Sequence, residues 1–536
     1  MVGSANRHGE IPVDETYDVV VVGGGAAGLS GALALSRARR SVLVIDSGEP
    51  RNAPADHVHN YLGREGTPPG ELYAVGRAEV AGYGGQFRTG RVDAATRDDD
   101  GFRLSLDDAS SVRARRLLVA TGLTDELPDV PGLAKRWGRD VLHCPYCHGW
   151  EVRDRRIGVL ATGPLAVHQA EMWRQWSADV LLLLHDAPAP DEETAERLAA
   201  RSIAVVPGPV AEVEVTGDAL TGVRLADGRS VALDAVVVAT RLTPRADLLV
   251  GLGLAPEEVA MGGYVIGAQI PADATGATTV PGVWVAGNIA DLRGQVITSA
   301  AAGLTAGAAI NADLIAEDTR AAVAAYRQLM ATAFEEPAWE ERYQSRPAVW
   351  SGRPNPQLVA EVADLPPGRA LDVGSGEGAD AVWLAERGWQ VAAVDISTVA
   401  LGRAAAHADT AGVGDRIEFT HADLRDKPPA EGAYDLVSAQ FMHLPPVQRR
   451  ELFARLADAV APGGVLLIVG HHPSDLWTSA HRMHMPDMMY TAQDVAASLD
   501  PARWEIVTAE ERPRTVTDPH GEQITLHDAV LLARRR

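Results

Sequence analysis

The sequence predicts a multidomain α/β protein in which glycine-rich loops follow the buried first strands of parallel sheets. Two such loops lie far apart in the chain, one at residues 23–28 and the other at 374–378. Between them lie the only two cysteines of the 536 residues, Cys144 and Cys147. This length suggests two to four domains, and 46% hydrophobic residues are enough to build sizeable cores.

Composition narrows the classes of partner and location. The formal net charge of −23 disfavours nucleic acid and anionic membranes as partners. We find no apolar run close to the roughly 20 residues that span a bilayer. The segment from Met1 to Thr16 is polar and lacks the hydrophobic core of a signal peptide. We therefore expect a soluble, cytoplasmic protein.

The first glycine-rich loop follows a strand predicted at residues 17–22, which is nearly continuous in valine and therefore buried on both faces. In the pattern G-x-G-x-x-G the first glycine permits a tight turn and the second lets a pyrophosphate approach the backbone. The third allows close packing of helix on strand. A second strand ends in an aspartate placed to accept hydrogen bonds from ribose hydroxyls. The residues predicted at this dinucleotide site are Gly23, Gly25, Ala27, Gly28 and Asp46.

The two cysteines belong to the string H-C-P-Y-C-H-G-W-E at residues 143–151. Two thiols separated by two residues can close as a disulfide or open by accepting two electrons. If a helix begins at Pro145, its N-terminus and a protonated neighbouring imidazole favour the thiolate. The alternatives are half of a zinc site, for which a second C-x-x-C is missing, and a structural disulfide, which a cytosolic protein disfavours. We interpret the pair as a redox-active dithiol.

Two further segments, 117–122 (LLVATG) and 282–295 (GVWVAGNIADLRGQ), resemble FAD-binding segments of flavoproteins with two dinucleotide-binding domains. Together with the C-x-x-C they make residues 17–315 similar to the low-molecular-weight thioredoxin reductases. The resemblance implies FAD and a homodimer formed through this part of the chain. It also implies a discontinuous FAD-binding domain at 17–125 and 245–315. A module at 126–244, similar to an NAD(P)H-binding domain, then carries the C-x-x-C.

The same resemblance predicts further residues that line the flavin site. They are Arg51, Asn60, Val92, Ala120, Asn288, Gln295 and Val296. One of them departs from the family, which usually carries Asp at the position of Asn288 to hold the ribityl chain. An amide can still form a hydrogen bond there.

The loop expected to bind NADPH reads A-T-G-P-L-A at residues 161–166. Ala161 replaces the first glycine and makes the tight turn less permissive, while Pro164 removes an N–H donor. An acidic run follows the next strand at 185–193, where a 2′-phosphate requires arginines. We expect NADPH to bind poorly and the module to serve as a scaffold for the dithiol. The alternative, that this atypical loop still binds a nicotinamide, stays open.

The pattern C-x-x-C-H-G-[YW]-E and the segment 59–63 (HNYLG) also resemble the dithiol oxidases of gliotoxin- and holomycin-type natural products. Those enzymes share the reductase fold and pass electrons from a substrate dithiol to the enzyme disulfide, then to FAD and oxygen. The resemblance implies that Cys147 faces the flavin and Cys144 forms the mixed disulfide. His148 takes the position of the reductases' acidic Asp and is suited to act as a base near neutral pH. For His143, a catalytic role and an ordinary packed position both stay open.

After a helical connector predicted at 316–338, the sequence predicts a further α/β domain at residues 339–536. A strand at 370–373 leads into the loop G-S-G-E-G at 374–378, and the next strand ends in Asp395, which can hold both hydroxyls of a ribose. A second NAD-binding fold is disfavoured because this loop lacks the G-x-G-x-x-G entry into a helix.

This part resembles the class I S-adenosylmethionine (SAM) methyltransferases, and most of all the tellurite-resistance and thiopurine group, which acts on small soft nucleophiles. The resemblance implies that SAM is held by Gly374, Ser375, Gly376, Asp395, Ile396, Asp423 and Leu424. His443, His471 and His472 follow strands that end at the cofactor crevice. We take His443 as the candidate base, against the alternative that these histidines only line the crevice. The segment 483–489 either lines an adaptable pocket or packs as a loop.

Taken together, the sequence predicts a two-dinucleotide-domain flavoprotein followed by a Rossmann-like methyltransferase. We interpret it as a bifunctional enzyme that oxidises a small dithiol with FAD and oxygen and methylates a small molecule, with a thiol as the expected acceptor. One alternative is an NAD(P)H-dependent disulfide reductase fused to an O- or N-methyltransferase. Another is a flavin redox sensor that controls a methyltransferase.

Overall fold

The computed structural model describes residues 16–477, 486–517 and 521–536. Residues 1–15, on which the absence of a signal peptide was argued, and residues 483–485 of the methionine-rich segment lie outside these ranges. The chain divides into two compact units, one up to Arg320 and one from Ala321 onward. This boundary falls inside the connector predicted at 316–338. Each unit is described by itself.

The first unit alternates strands and helices in the way that its sequence pattern predicts. Its strands are β1 Thr16–Val22, β2 Val42–Asp46, β3 Gln86–Thr89, β4 Val92–Asp98, β5 Gly101–Leu106, β6 Ser111–Val119, β7 Leu123–Glu126, β8 Val141–Leu142, β9 Ile157–Leu160, β10 Val180–Leu183, β11 Ala204–Val206, β12 Val210–Thr216, β13 Ala219–Leu225, β14 Ser230–Ala232, β15 Ala235–Val238, β16 Arg241–Pro244, β17 Glu257–Met261, β18 Tyr264–Gln269 and β19 Val283–Val285. Its helices are α1 Ala26–Arg37, α2 Pro69–Gly82, α3 Leu133–Arg136, α4 Pro145–His148, α5 Ala166–Trp173, α6 Glu192–Ala200 and α7 Val296–Thr332. Short 3₁₀ helices occur at Asp247–Leu252 and Gly287–Ile289.

Two parallel sheets dominate this unit. The first has the order β3-β2-β1-β6-β5-β4, with β19 paired to β6, and β1, β2, β3, β6 and β19 run parallel. The second has the order β11-β10-β9-β15-β8 and is parallel throughout. The sheets β12-β13-β14 and β17-β18-β16-β7 complete the unit. Since β1 and β9 are central strands buried on both faces, the loops after them lie at the carboxyl edges of their sheets, where α/β proteins bind nucleotides.

Helix α7 is the one helix within the described ranges that is long and apolar enough to cross a membrane by length and composition. The sequence of this helix contains no long apolar run, because small and polar residues interrupt its apolar residues. Its inner side packs in the core of the first unit, where a Cβ on Gly303 would lie 1.9 Å from the carbonyl oxygen of Ala27. Asp313 of the same helix forms a 2.6 Å ion pair with Arg116. The buried residues of this helix are Gly303, Ala306, Gly307, Ile310 and Leu314, and the helix continues beyond the boundary at Arg320.

The second unit contains a single mixed sheet flanked by helices. Its strands are β20 Arg369–Val373, β21 Gln390–Asp395, β22 Ile417–His421, β23 Tyr434–Gln440, β24 Val460–His471, β25 Trp504–Thr517 and β26 Gln523–Arg535. Its helices are α8 Glu336–Gln344, α9 Pro356–Val362, α10 Ala379–Glu386, α11 Thr398–Ala411, α12 Pro446–Ala459 and α13 Ala492–Ala496, with 3₁₀ turns at Gly414–Arg416, Pro473–Trp477 and Pro486–Met488.

The strand order in this sheet is β22-β21-β20-β23-β24-β26-β25, and β26 alone runs opposite to the other strands. The order reverses between β20 and β23, so the crevice at their carboxyl ends is the expected ligand site of an open α/β sheet. The predicted α/β fold class is confirmed for both units.

Candidate active sites

A cavity of about 1170 Å³ lies at the carboxyl edge of the first sheet, large enough for a dinucleotide. Most of the residues predicted to bind the first cofactor line this cavity. They are Gly23, Gly25, Ala27, Asp46, Arg51, Val92, Ala120, Asn288, Gln295 and Val296, together with Cys144, Cys147 and His148. Gly28 and Asn60 are the two predicted residues that do not line it.

The loop after β1 has the geometry that its glycines predict. Gly23 has a φ of 104°, and a Cβ there would lie 2.4 Å from the carbonyl oxygen of Ala120. A Cβ on Gly28 would lie 1.8 Å from the carbonyl oxygen of Gly23. Gly28 therefore allows the helix to pack closely on the loop and does not line the cavity. Gly25 faces open space. The Asp46 carboxylate accepts a 3.0 Å hydrogen bond from the Gly24 amide. Open space at Gly25 and a carboxylate at the end of β2 fit a bound dinucleotide such as FAD.

An arginine at the cavity wall joins two elements that are distant in sequence. Arg51 forms a bidentate pair with Asp125, at 2.7 and 2.8 Å, and its third nitrogen donates to the Asn288 side-chain oxygen at 3.2 Å. Burial opposes the charge on Asp125, but the hydrogen bonds from Arg51 and Thr240 hold its pKa below the usual range. The side chain of Asn288 thus accepts a hydrogen bond from Arg51, whose positive charge is already paired with the carboxylate of Asp125. The sequence does not indicate Asp125 as a site residue, because no local pattern distinguishes it.

The dithiol lies at the start of α4, with Cys144 as the N-cap and Pro145 as the first helical residue, as predicted. The Sγ atoms of Cys144 and Cys147 are 2.7 Å apart. The thiol of Cys147 donates to Cys144 and, against the effect of burial, lowers the pKa of Cys144 to about 7, with help from backbone amides of α4. The same hydrogen bond and burial raise the pKa of Cys147. Cys144 is therefore the thiolate of the reduced pair.

His148 ends α4 and lines the same cavity. Both of its ring nitrogens are buried, and neither has a hydrogen-bond partner among the described residues. Burial lowers the pKa of His148, against the attraction of Glu151. Burial therefore favours the neutral imidazole, and His148 is not among the groups that lower the pKa of Cys144. The Cys147 thiol and the backbone amides of α4 stabilise the thiolate in its place.

His143 precedes the dithiol and also lines the cavity. Its Nδ1 lies 3.3 Å from the carbonyl oxygen of Val238, and burial lowers its pKa. This neutral, backbone-bonded ring matches the ordinary packed position that the sequence left open.

The loop at residues 57–66 packs against the dithiol turn. Asn60 has a φ of 59°, and its side-chain amide donates to the carbonyl oxygen of Tyr146 at 2.6 Å. Nδ1 of His59 lies 2.6 Å from a carboxylate oxygen of Glu65, and Nε2 lies 3.4 Å from one of Glu151. Asn60 thus holds the loop on the dithiol turn, and His59 is placed between two carboxylates.

A second cavity of about 800 Å³ lies after β9, at the expected NADPH site. Ala161, Pro164 and Asp186 are among the residues that line it; all of them lie between 128 and 194, and none is Lys or Arg. The ring of Tyr264, from β18, packs against the backbone of Gly163, 2.9 Å from where a Cβ would stand. Its hydroxyl lies 3.5 Å from the carbonyl oxygen of Thr162. These features do not fit the phosphates of NADPH.

In the second unit the loop after β20 turns at Gly374 and Gly376, with φ values of 66° and 53°. Asp395, at the end of β21, is buried and accepts hydrogen bonds from the Gly376 amide at 2.8 Å and the Ser397 amide at 2.9 Å. Burial raises the pKa of Asp395 against these bonds. The loop and the carboxylate lie together at one edge of the sheet, as predicted.

Two buried oxygens beside this loop lack hydrogen-bond partners among the described residues: Oδ2 of Asp372 and Oγ of Ser375. Burial raises the pKa of Asp372 well above its usual range. A cationic ammonium and polar groups, as in the methionine part of SAM, match this unsatisfied carboxyl and hydroxyl. Asp372 was missed as a site residue, although it opens the D-V-G-S-G-E-G string.

The remaining predicted residues of this unit lie near the same edge. The Asp423 carboxylate accepts hydrogen bonds from the Arg425 side chain at 2.9 and 3.0 Å, and Leu424 is buried in the core. The backbone oxygen of Ile396 lies 2.9 Å from Nε2 of His421. Asp423 therefore turns its carboxylate toward a side chain of its own segment.

His443 follows β23 and stacks on His471 at the end of β24, with ring centroids 4.3 Å apart. Its Nε2 accepts a 3.1 Å hydrogen bond from the His471 amide. Met442, the preceding residue, reaches Gly374, where a Cβ would lie 2.6 Å from its sulfur. The structure thus brings His443 to the glycine loop, but with Nε2 engaged by the backbone.

Comparison with protein-family models gives one match in each unit. Residues 17–307 match the family described as pyridine nucleotide-disulphide oxidoreductase. Residues 370–464 match the family described as methyltransferase domain.

Curated relatives carry the name thioredoxin reductase. Thioredoxin reductase tcpT of Claviceps purpurea is 40% identical over 152 residues, 28% of this chain and 47% of its own length. Thioredoxin reductase sirT of Leptosphaeria maculans is 28% identical over 322 residues, 57% of this chain and 96% of its own length. The chain therefore spans about half of the first relative and nearly all of the second.

Solved structures agree with these matches over the first unit. The structure titled HlmI is 46% identical, with a TM-score of 0.54, and the match covers 58% of this chain and 96% of that one. An oxidoreductase from Agrobacterium tumefaciens is 37% identical with a TM-score of 0.53, and the match covers 56% of this chain and 99% of that one. In both cases nearly the whole of the solved chain is matched by the first unit.

Proposed function

The chain belongs to the pyridine nucleotide-disulphide oxidoreductase family and carries a methyltransferase domain after it, and from that premise we propose that its first unit oxidises a small-molecule dithiol to a disulfide with FAD and oxygen. One observation carries the proposal: in the described part of the chain, the dithiol and a histidine whose ring nitrogens have no hydrogen-bond partner line the large cavity, while no Lys or Arg lines the cavity at the expected NADPH loop. The resemblance of the dithiol turn to dithiol oxidases supports the same reaction.

We assign FAD to the large cavity, within a domain made of residues 17–125 and 245–315. Gly23, Gly25, Ala27 and Asp46 hold the nucleotide part in this proposal, and Gly28 supports the loop from beneath. The flavin part contacts Arg51, Val92, Ala120, Asn288, Gln295 and Val296. Asn60 acts by fixing the 57–66 loop to the dithiol turn. The module at 126–244 carries the dithiol.

The proposed reaction starts from the enzyme disulfide. A substrate thiol gives its proton to His148, and the thiolate attacks Cys144 Sγ, which breaks the Cys144–Cys147 bond and releases Cys147 as a thiolate. The second substrate thiol then passes its proton to the Cys147 thiolate and attacks the substrate sulfur bound to Cys144, which forms the product disulfide and releases Cys144 as a thiolate. FAD, when bound in the cavity that these residues line, would supply the two-electron acceptor for the reduced pair, with oxygen as the final acceptor that is reduced to hydrogen peroxide.

Oxygen consumption with a dithiol tests this relay. We expect Cys144→Ser and Cys147→Ser each to abolish dithiol-dependent oxygen consumption, because electrons can reach the flavin only through the pair. FAD binding should survive, since neither thiol is needed for the Gly23 loop. Undiminished turnover in Cys147→Ser would contradict the relay. A disulfide reductase that uses a pyridine nucleotide, as the description of the matched family indicates, is the second candidate and is separated by its reductant.

For the second unit we propose SAM-dependent methylation of a small-molecule thiol by a domain at 339–536. SAM is held by Gly374, Ser375, Gly376, Asp395, Ile396, Asp423 and Leu424, and the unsatisfied Asp372 supports a cationic ligand there. A thiol near its ordinary pKa is already a few per cent thiolate at neutral pH and needs little help from a base. The engagement of His443 Nε2 by a backbone amide is consistent with such an acceptor.

Product analysis tests the acceptor. Disulfide formation removes the thiol nucleophile, so the two activities compete for reduced substrate. With SAM in air, Cys144→Ser should yield more S-methyl product from a dithiol than the wild type. Mass spectrometry of reactions with thiols, phenols and amines decides the acceptor atom, because methyl groups found only on oxygen or nitrogen would refute S-methylation.

We also propose, on the resemblance of residues 17–315 to thioredoxin reductases, a cytoplasmic homodimer formed through the first unit. Sedimentation of the full chain at micromolar concentration tests the dimer. A monomer under those conditions would contradict it.

A further inference from the structure

Oxidation of a dithiol at this site releases two protons near a residue that can hold one. The reduced pair keeps one of them, as the Cys147 thiol that donates to Cys144. The other stays on His148, whose buried ring has no hydrogen-bond partner among the described residues. His148 must pass that proton on before it can act again.

The charged groups that act on His148 come from three directions. Glu151 belongs to its own turn, His59 and Asp56 lie on the neighbouring loop, and His143 precedes α4. Glu151 and Asp56 favour a proton on His148, whereas the two histidines disfavour it. Burial makes His148 a poor long-term holder of a proton.

His59 lies between two carboxylates and lines the same cavity as His148. Its Nε2 lies 3.4 Å from Glu151 Oε1, and its Nδ1 lies 2.6 Å from Glu65 Oε1. Each ring nitrogen of His59 thus faces a carboxylate oxygen to which it can pass a proton or from which it can take one. The backbone amide of Asn60 donates to the other carboxylate oxygen of Glu65 at 2.8 Å, which fixes the direction of that carboxylate.

The same series of residues leads from the cavity to solvent. The side chain of His59 is 20% exposed, that of Glu151 is 41% exposed and that of Glu65 is 64% exposed. Asn60 ties the loop to Tyr146 of the dithiol turn, so the geometry between the two segments is maintained. Exposure thus rises outward from the buried His148.

We propose that Glu151, His59 and Glu65 form the proton exit of the dithiol site, with His59 as a positioning and relay residue that clears His148 at each turnover. The step moves one proton from His148 to the Glu151–His59–Glu65 group and then to water. No bond other than N–H and O–H forms or breaks, and no electron moves. The inference rests on the dithiol oxidation proposed above.

The test follows flavin absorbance after anaerobic mixing of the full FAD-loaded chain with dithiothreitol. We expect His59→Gln to lower the maximal rate of flavin reduction by about ten- to a hundredfold, at the lower end of acid–base effects, without changing the dithiothreitol concentration that gives half of that rate. Free imidazole should restore the rate of His59→Gln in proportion to its concentration and leave the wild type unchanged. His168→Gln, an exposed histidine of the same module, is the matched control and should behave as wild type.

Each outcome decides the proposal. A His59→Gln rate equal to wild type, or a slow rate that imidazole does not restore, would overturn it. If His59→Gln folds poorly, Glu65→Gln tests the same path, with a smaller loss and the same rescue expected, and a wild-type rate in that variant would count against the exit. If dithiothreitol fails to reduce the wild-type flavin at all, the proposed oxidation itself fails and the exit with it.

Discussion

The ring of Tyr264 lies against the backbone of Gly163, its nearest atom 2.9 Å from the position that a Cβ would take. Tyr264 belongs to β18 and Gly163 to the loop after β9, so one element of the first unit covers the phosphate-binding loop of another. Pro164 and the acidic residues after β10 weaken the same loop for a phosphate. The contact adds to the sequence departures from which we expect poor binding of NADPH.

We predict that NADPH reduces the flavin of this protein poorly. Tyr264→Ala uncovers Gly163, but Pro164 and the lack of a cation remain, so we expect only a small gain in the rate with NADPH. The anaerobic loss of flavin absorbance with micromolar NADPH measures the rate of flavin reduction in the wild type and in Tyr264→Ala. Rapid bleaching of the wild type would contradict the prediction, and a gain of several orders of magnitude in Tyr264→Ala would make the tyrosine the sole barrier.

We predict that Cys144 is the more reactive thiol of the reduced pair. Its pKa of about 7 means that its thiolate fraction, and with it the alkylation rate, rises as pH rises through 7. Cys147, whose pKa is raised, should react far more slowly. Iodoacetamide labelling of the reduced protein between pH 5 and pH 9, read by peptide mass spectrometry, checks this order. Faster labelling of Cys147 would reverse the roles assigned to the two thiols.

We predict that His148→Ala slows dithiol-dependent flavin reduction by roughly 10²–10⁴, the usual contribution of a general base. The base must be neutral, and its neutral fraction grows as pH rises through its pKa. Because burial lowers that pKa from 6.5, the acid limb of the rate profile should lie below pH 6.5 in the wild type. The limb should disappear in His148→Ala. An unchanged limb in the variant would assign it to another group.

We predict that Asp395→Asn weakens the binding of S-adenosylhomocysteine by about 1.5–3 kcal/mol, the range for hydrogen bonds to a charged group. Isothermal titration of the full chain measures this without requiring a methyl acceptor. Asp415→Asn, at an exposed aspartate of the same unit, is the matched control. Wild-type affinity in Asp395→Asn would place the ribose elsewhere, and dithiol oxidation should be unchanged in both variants.

The sequence predicts the parts of the fold and of the sites that local patterns encode. The loops at 23–28 and 374–378, the carboxylates Asp46 and Asp395, and the start of α4 at Pro145 lie where the patterns indicate. These features depend on residues close in sequence. Glycine spacing, strand composition and the position of a proline are sufficient to find them.

The sequence does not predict contacts between distant segments. Asp125 pairs with Arg51 across 74 positions, and Tyr264 meets the loop of Thr162 across 102. The lowering of the pKa of His148 was also not predicted, because its main cause is burial, which depends on how distant segments pack around the ring. Such features arise only once the sheets bring their edges together.

The stoichiometry of the reaction with oxygen tests the central claim most directly. The purified protein, with about one FAD per chain, is mixed with dithiothreitol in air without NADPH, and oxygen consumed, hydrogen peroxide and disulfide formed are measured together. The account predicts many turnovers, with one oxygen consumed and one hydrogen peroxide formed per disulfide. A single turnover, or turnover only with NADPH, would contradict it.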